Sequence, residues 1–237
     1  MQKYRIDGAV DVHDVDFNGV AKTSSLMRYI QTAAQGQLTD GGLSYDELKN
    51  QNRVFILSRF KMEVLKPLRS CEPVTAVTFA AESRGFSFLR CYSLEQEGVA
   101  IAKAISIWAL VDTETRNLVP VNSFDLGLTV LPPLDISFEH IRFPSTLTDV
   151  GGYGVHYGDV DRNRHMNNTK YPDMYSNFLP MDNKMIKSIS INYKNEALIG
   201  EKLRVQRAYE NGVYYFRTVR GDGKINSEAT ILLEDLI

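Results

Sequence analysis

The chain has 237 residues, of which 43% are hydrophobic and 24% charged, and its formal net charge is −2. This composition is typical of a globular protein of one large domain or two ordinary ones, and the charge excludes a global attraction to nucleic acid or to a membrane. No apolar run approaches the roughly 18 residues of a membrane span.

The first half is predicted to place one helix ahead of several strands. A strand, YRIDGAVDV (4–12), precedes the polar loop DVDFN (14–18) and a helix, TSSLMRYIQTAAQGQL (23–38), whose apolar residues recur at helical spacing. Thr23 or Ser24 can cap this helix, and Gly41–Gly42 ends it. Alternating or apolar runs then predict four strands, at 54–66, 73–82, 86–95 and 99–112.

A proline-containing segment divides the chain. Four of the eight prolines fall between residues 118 and 145, where periodicity is weak. Since proline breaks helices and sheet ladders alike, this stretch is predicted to be an extended linker. The expected units are residues 1–120 and 146–237, joined by a linker at 121–145.

The second half repeats the order of the first. A glycine-rich stretch leads into DVDRNRHMNN (159–168), then a helix at about 168–178 with Pro172 in its first turn. Strands are expected at 188–196, 202–210, 213–221 and 225–236. One helix with four or five antiparallel strands, twice over, predicts an α+β fold in which each sheet wraps around a helix. We expect the two sheets to pair edge to edge, because this removes exposed edges.

The two polar loops share the pattern Asp-Val-Asp-x-Asn, but only the second contains a histidine. In an extended backbone, Asp161, Asn163 and His165 project to the same side. The helix that follows offers unpaired N–H groups and a positive dipole end, which favour a developing negative charge. This set suits hydrolysis of an acyl compound by water. The first loop, with Val20 at the matching position, is expected to keep only the turn and the helix cap.

Other chemistries find less support in the residues. Cys71 and Cys91 fall in predicted strands of the half without the histidine, so we expect buried thiols rather than nucleophiles or metal ligands. No phosphate-binding loop is present, and one histidine with one aspartate falls short of a metal site. We therefore expect no cofactor and no metal, in a cytoplasmic protein without a secretory signal.

The run Asp161-x-Asn163-x-His165-x-Asn167-Asn168-x-x-Tyr171 resembles the signature of the acyl–acyl carrier protein (acyl-ACP) thioesterases. The resemblance covers nearly the whole chain, including SIWALVDTETR (106–116) and INYKNEALIGEKLRV (191–205). It implies two tandem hotdog domains, each an antiparallel sheet wrapped around a central helix. The length and the lack of a plastid transit segment point to a bacterial member.

The resemblance also implies functional roles. Asp161, Asn163, His165 and Glu196 would be catalytic, with either carboxylate as the base that activates water. Ala197 stands where many plant members have a cysteine, which favours direct attack by water. The C-terminal domain would be catalytic and the N-terminal domain would bind the acyl chain, with Met27 and Ile30 as pocket candidates.

The implied activity is release of free fatty acid from acylated acyl carrier protein, in fatty acid biosynthesis. Because that carrier is acidic, a basic patch is expected, and Lys202, Arg204, Arg207, Arg217 and Arg220 are candidates for it. No nucleic-acid or membrane partner is expected, and a homodimer stays open. The alternatives are a hotdog acyl-CoA thioesterase, a hotdog enoyl-thioester hydratase and a non-catalytic acyl-thioester sensor.

Overall fold

The computed structural model describes residues 3–236, which form three α-helices and twelve strands. The helices are α1 (Thr23–Asp40), α2 (Tyr45–Asn50) and α3 (Tyr171–Ser176). The strands of the first half and linker are β1 (Tyr4–Ala9), β2 (Arg53–Val64), β3 (Pro73–Ala81), β4 (Phe88–Gln96), β5 (Val99–Asp112), β6 (Leu118–Val119) and β7 (Val130–Leu131). Those of the second half are β8 (Thr148–Gly154), β9 (Lys184–Tyr193), β10 (Lys202–Glu210), β11 (Val213–Val219) and β12 (Ile225–Asp235).

All the strands belong to one sheet that runs through both halves. Its order is β1-β3-β4-β5-β2-β9-β12-β11-β10-β8, with β6 beside β5 and β7 beside β3. The halves meet where β2 pairs antiparallel with β9, from Arg59 opposite Asn192 to Glu63 opposite Ser188. The predicted edge-to-edge pairing of the two sheets is therefore confirmed. It leaves β1 and β8 as the outer strands.

Helix α1 lies against the inner face of the first sheet. Its buried side chains include Leu26, Met27, Ile30 and Ala33, which recur every three or four residues and so share one face. The predicted cap was wrong, because Thr23 and Ser24 lie inside the helix, and Lys22 precedes it without a capping side chain.

The second half is built the same way around a shorter helix. A single turn of 3-10 helix at Asn168–Lys170 leads into α3, which covers six residues instead of the eleven expected. Tyr171, Met174 and Tyr175 are buried against the second sheet, and the Tyr175 ring lies 4.9 Å from that of Phe216. Large aromatic side chains thus provide the core that a longer helix supplies in the first half.

The linker packs against the outer face of the first sheet. Leu131, Leu134, Ile136 and Phe138 cover an apolar cluster that contains Cys91 of β4. Burial raises the pKa of the Cys91 thiol, as expected for an inert cysteine. The prediction for Cys71 was wrong: it is exposed in a turn, with a φ of +66°.

Four elements have no counterpart in the predictions: helix α2 and strands β6, β7 and β8. Helix α2 begins with a capping box in which Ser44 and Glu47 each bond the other's backbone N–H. Strand β8 contains three glycines, which strands ordinarily avoid. Within residues 3–236, no helix combines the length and apolar character needed to cross a bilayer.

Candidate active site

The two Asp-Val-Asp-x-Asn loops have the same backbone hydrogen bonds. The Asp16 N–H donates to the Val20 carbonyl (2.8 Å), and the Asp161 N–H donates to the His165 carbonyl (3.1 Å). In both loops the second aspartate accepts the N–H of the asparagine two residues on, at 2.8 Å. These are Asx-turns, so the shared sequence encodes a shared turn.

The loops differ at the position of the histidine. Val20 is 3% exposed and packs in the core, and its backbone forms an isolated antiparallel β-bridge with Arg69. His165 is bridged in the same way to Leu198, but its side chain is 23% exposed. The position that is buried in the core in the first loop is therefore partly exposed to solvent in the second loop, where His165 occupies it.

His165 lies between two carboxylates. Its Nε2 is 3.5 Å from Glu196 Oε1, and its Nδ1 is 4.0 Å from Asp161 Oδ1. Glu196 is held close because the Met166 N–H donates to the carbonyl of Ala197, at 2.7 Å. Both separations are longer than a hydrogen bond, as is common for catalytic groups before substrate binds.

Asn163 is fixed by a residue of the first half. The Tyr45 hydroxyl donates to Asn163 Oδ1 at 2.7 Å, and the guanidinium of Arg162 stacks 3.1 Å from the centre of the Tyr45 ring. Since the amide oxygen accepts this bond, the Asn163 Nδ2 group is left as a donor. Helix α2 thus clamps the histidine loop from across the domain boundary.

The helix end beside this loop offers less than the sequence suggested. The N–H groups of Met166, Asn167 and Lys170 donate to backbone carbonyls, and that of Thr169 donates to the Asn167 side chain. The expected row of unpaired N–H groups is therefore mostly satisfied within the chain. The Asn163 Nδ2 group is the better placed donor for a developing negative charge.

A cavity of about 1120 Å³ runs from this loop into the first half. Asp161, Asn163, His165 and Glu196 line one part of it. The first half contributes apolar side chains, among them Leu38, Leu48, Phe55, Phe88, Trp108 and Leu126. We call this the central cavity. Its volume and its mixed polar and apolar lining suit an apolar chain with a polar, reactive end.

The two predicted pocket residues do not line the central cavity. Met27 and Ile30 are at most 1% exposed and pack in the core. The residues of α1 that line the cavity are Gln31, Ala34, Gln35 and Leu38, on the adjacent face of the helix. Helix α1 therefore meets the central cavity through the face next to the one that carries Met27 and Ile30.

Most of the basic residues predicted to form a patch on the second-half strands are engaged in ion pairs or hydrogen bonds, whereas two cations at the central cavity form no ion pair among the described residues. Arg204, Arg217 and Arg220 form ion pairs with Asp149, Glu228 and Glu201, respectively, and Arg207 donates to the carbonyl of Phe178. Only Lys202 of the predicted set has no such partner among the described residues. By contrast, Lys49 and Arg162 line the cavity and form no ion pair within residues 3–236.

Comparison with known proteins gives the family. The family model described as the acyl-ACP thioesterase N-terminal domain matches residues 1–123, and that of the C-terminal domain matches residues 146–234. The chain belongs to the acyl-ACP thioesterase family. This membership confirms the resemblance seen in the sequence.

Solved structures of this family share the fold. The acyl-ACP thioesterase from Bacteroides thetaiotaomicron superposes with a TM-score of 0.90 at 18% identity, covering 98% of each chain. The 12:0-ACP thioesterase from Umbellularia californica gives a TM-score of 0.86 at 17% identity, covering 99% of this chain and 98% of the plant chain. The predicted α+β fold of two tandem hotdog domains is confirmed.

A curated relative matches more distantly. The chloroplastic palmitoyl-acyl carrier protein thioesterase of Arabidopsis thaliana is 21% identical over 215 residues. The match covers 81% of this chain and 52% of the plant protein, so the chain spans about half the length of that relative.

Two residues of the site escaped prediction from the sequence. Tyr45 was missed with its helix, although the Ser44-x-x-Glu47 capping box signals a helix start there. Arg90 lines the central cavity from β4, and a charged residue within a strand is ordinarily expected to be exposed. No local signal reveals that this one faces inward.

Proposed function

We propose that this protein hydrolyses acyl-ACP thioesters to release free fatty acid in fatty acid biosynthesis. The observation that carries the proposal is the placement of His165 between Glu196 and Asp161 in the wall of a cavity to which the first half contributes apolar side chains. Membership of the acyl-ACP thioesterase family supports the same activity.

In this proposal Glu196 is the base. Its side chain is 55% exposed and faces the cavity, whereas an oxygen of Asp161 is engaged in the Asx-turn, as Asp16 is in the loop without histidine. Glu196 removes a proton from water as the water oxygen attacks the thioester carbonyl carbon. Asp161 orients His165 through Nδ1.

Asn163 and His165 complete the reaction. The Asn163 Nδ2 group donates to the oxyanion of the tetrahedral intermediate. His165 Nε2 takes the proton from Glu196, 3.5 Å away, and delivers it to the sulfur as the carbon–sulfur bond breaks. Neither cysteine lines the central cavity, and Ala197 is fully buried, which supports attack by water without a covalent acyl-enzyme.

The two halves would divide the work. The acyl chain would lie in the first half, between α1 and the sheet, and the chemistry would occur in the second half. The cations Lys49, Arg162 and Arg164 lie at or beside the cavity and would attract the acidic acyl carrier protein.

The proposal extends to location and assembly. A cytoplasmic location is supported by Cys71 and Cys91, which are both free thiols, as in reducing compartments.

For the assembly we propose a homodimer, because the edges of β1 and β8 offer unpaired backbone groups to a second copy. Sedimentation of the purified protein distinguishes monomer from dimer.

A substrate panel tests the activity. The purified protein is incubated with acyl carrier protein carrying acyl groups of increasing length, and with the same acyl groups on coenzyme A, and free fatty acid is measured. We expect faster release from the carrier protein. Faster release from coenzyme A would reassign the substrate, and hydration of an enoyl thioester without release would reassign the reaction.

A further inference from the structure

Arg90 is a buried cation in the wall of the central cavity. It lies on the inner face of β4 and is 7% exposed. Its Nη1 donates to Gln37 Oε1 (2.9 Å) and to Thr78 Oγ1 (3.1 Å). Its Nη2 is buried and has no hydrogen-bond partner among the described residues.

The charge of Arg90 is not balanced by a carboxylate. No Asp or Glu of residues 3–236 forms an ion pair with it, and its two partners are neutral oxygens. Burial lowers the pKa of the guanidinium, but arginine stays protonated in proteins. A buried cation without an anionic partner is costly, so a function is expected to accompany it.

Gln31 provides a second unpaired donor in the same cavity. Its Nε2 group, on α1, is buried and lacks a partner within the described part of the chain. Nearby positions that line the cavity, such as Ala34, Phe88 and Leu89, are apolar. An alkyl chain would leave each donor unsatisfied, whereas an oxygen atom of the ligand within hydrogen-bond distance would satisfy it.

Arg90 lies far from the candidate catalytic residues. Glu196 follows β9, and the sheet order places β2, β5 and β4 successively beyond β9. Neighbouring strands are 4.7–4.9 Å apart, so β4 is about 14 Å from β9 across the sheet. A substrate held at His165 would therefore meet Arg90 with the distal part of its acyl chain.

We propose that the central cavity accepts acyl chains that carry an oxygen acceptor, a hydroxyl or a carboxylate, on their distal part, and that Arg90 and Gln31 bind this oxygen. The inference deepens the proposed function and rests on it for the orientation of the substrate. Arg90 then sets specificity, because it favours oxygenated chains over plain ones of the same length.

Binding can be measured separately from hydrolysis. Trp108 is the only tryptophan of the chain and lines the central cavity, so its fluorescence reports occupancy. The probes are amide analogues of acyl-pantetheine that cannot be hydrolysed as thioesters, with dodecanoyl, ω-hydroxydodecanoyl and ω-carboxyundecanoyl groups. Comparing the affinities of the ω-hydroxy and ω-carboxy analogues shows whether the cavity prefers a hydroxyl or a carboxylate.

We expect one of the oxygenated analogues to bind the wild-type protein roughly tenfold more tightly than the dodecanoyl analogue. Arg90→Met should abolish this preference, measured as the ratio of the dissociation constants of the dodecanoyl and oxygenated analogues. The matched control is Arg59→Met, since Arg59 is a half-buried arginine of β2 that does not line the cavity. Gln31→Leu provides a second variant if Arg90→Met does not fold, and it should reduce the preference.

Each outcome separates the two proposals. A wild-type protein that prefers the dodecanoyl analogue, with a ratio unchanged in Arg90→Met or Gln31→Leu, would overturn the inference. The corresponding thioesters are assayed in parallel. Hydrolysis without an oxygen preference refutes the inference and leaves the proposed function intact, whereas preferential binding without hydrolysis refutes the proposed function alone.

Discussion

The hydroxyl of Tyr45 donates a hydrogen bond to Asn163 Oδ1 across the boundary between the two halves. The first loop is held in a similar way, because Asn18 donates to the carbonyls of Met181 and Lys184 in the second half. Each Asp-x-Asn turn is thus anchored by the opposite domain. The geometry of the candidate site therefore depends on how the domains pack together.

Replacing Tyr45 with phenylalanine should lower the rate of hydrolysis. The hydroxyl is lost and the stacking on Arg162 is kept, so Asn163 becomes free to rotate. One hydrogen bond contributes about 0.5–1.5 kcal/mol, which corresponds to roughly a two- to tenfold fall in kcat. Steady-state kinetics with acyl carrier protein substrates measure this. An unchanged kcat in a folded variant would show that the bond does not position Asn163.

Replacing His165 with valine should remove activity without harming the fold. Val20 occupies the equivalent backbone position in the first loop, so the turn is known to accept valine. Loss of an acid–base group lowers the rate by about 10²–10⁴-fold. Thermal unfolding should show no loss of stability. Near wild-type turnover would exclude His165 from the chemistry.

The two carboxylates beside His165 should respond differently to neutral replacement. Glu196→Gln removes the proposed base and should cost about 10²–10⁴-fold in kcat. Asp161→Asn keeps an oxygen for the Asx-turn and removes only the charge that orients His165, so its loss should be smaller. Comparing kcat of the two variants tests the assignment. A larger loss in Asp161→Asn would reverse the two roles.

Much of the fold follows from local patterns. The strand at 202–210 was predicted with the observed bounds, because its apolar and polar residues alternate and a turn follows at Asn211–Gly212. The edge-to-edge pairing followed from the repeat and from the need to cover sheet edges. Strand β8 escaped because its three glycines give no alternation, and Cys71 was misassigned because its turn needs a positive φ at a non-glycine residue.

Local sequence patterns predicted only part of the candidate site. Asp161, Asn163 and His165 are near neighbours in sequence, so their spacing predicts a shared surface. Glu196 reaches His165 through a bridge between distant segments, His165 with Leu198, and only the family resemblance pointed to it. The inward direction of Arg90 depends on tertiary packing that no local pattern encodes.

Arg164 offers a test of strain beside the candidate site. Its φ is +67°, and the first loop has Gly19 at the equivalent position with a φ of +72°. A left-handed conformation costs a non-glycine residue about 1–2 kcal/mol. Arg164→Gly should therefore raise the free energy of unfolding by up to about 1 kcal/mol. The gain is smaller than the relieved strain because glycine loses more conformational entropy on folding than arginine does.

The same substitution removes a charge from the expected carrier-protein surface. The KM for acyl carrier protein should rise by roughly two- to fivefold, in line with the small energies of exposed charges. Arg164→Lys keeps both the charge and the strain and is the matched control. If the lysine variant shows the same rise in KM as the glycine variant, the charge is not responsible.

Asp14 should make the stability of the first half depend on acid pH. Burial alone raises the pKa of its carboxyl, but hydrogen bonds from Tyr29, Arg28 and Ser25 outweigh burial and hold the pKa below its usual range. A carboxyl with a lowered folded pKa stabilises the protein above its unfolded pKa of about 3.9, and this contribution is lost as the pH falls through the folded value.

Asp14→Asn should thus lower the free energy of unfolding by about 1–3 kcal/mol at neutral pH, because the Arg28 and Tyr29 partners lose a charged acceptor. The gap between wild type and variant, measured by urea unfolding, should narrow below about pH 4. Asp135→Asn, at an exposed linker position, should change stability by less than about 0.5 kcal/mol at any pH. A gap for Asp14→Asn that stays constant from neutral to acid pH would show that its effect is not electrostatic.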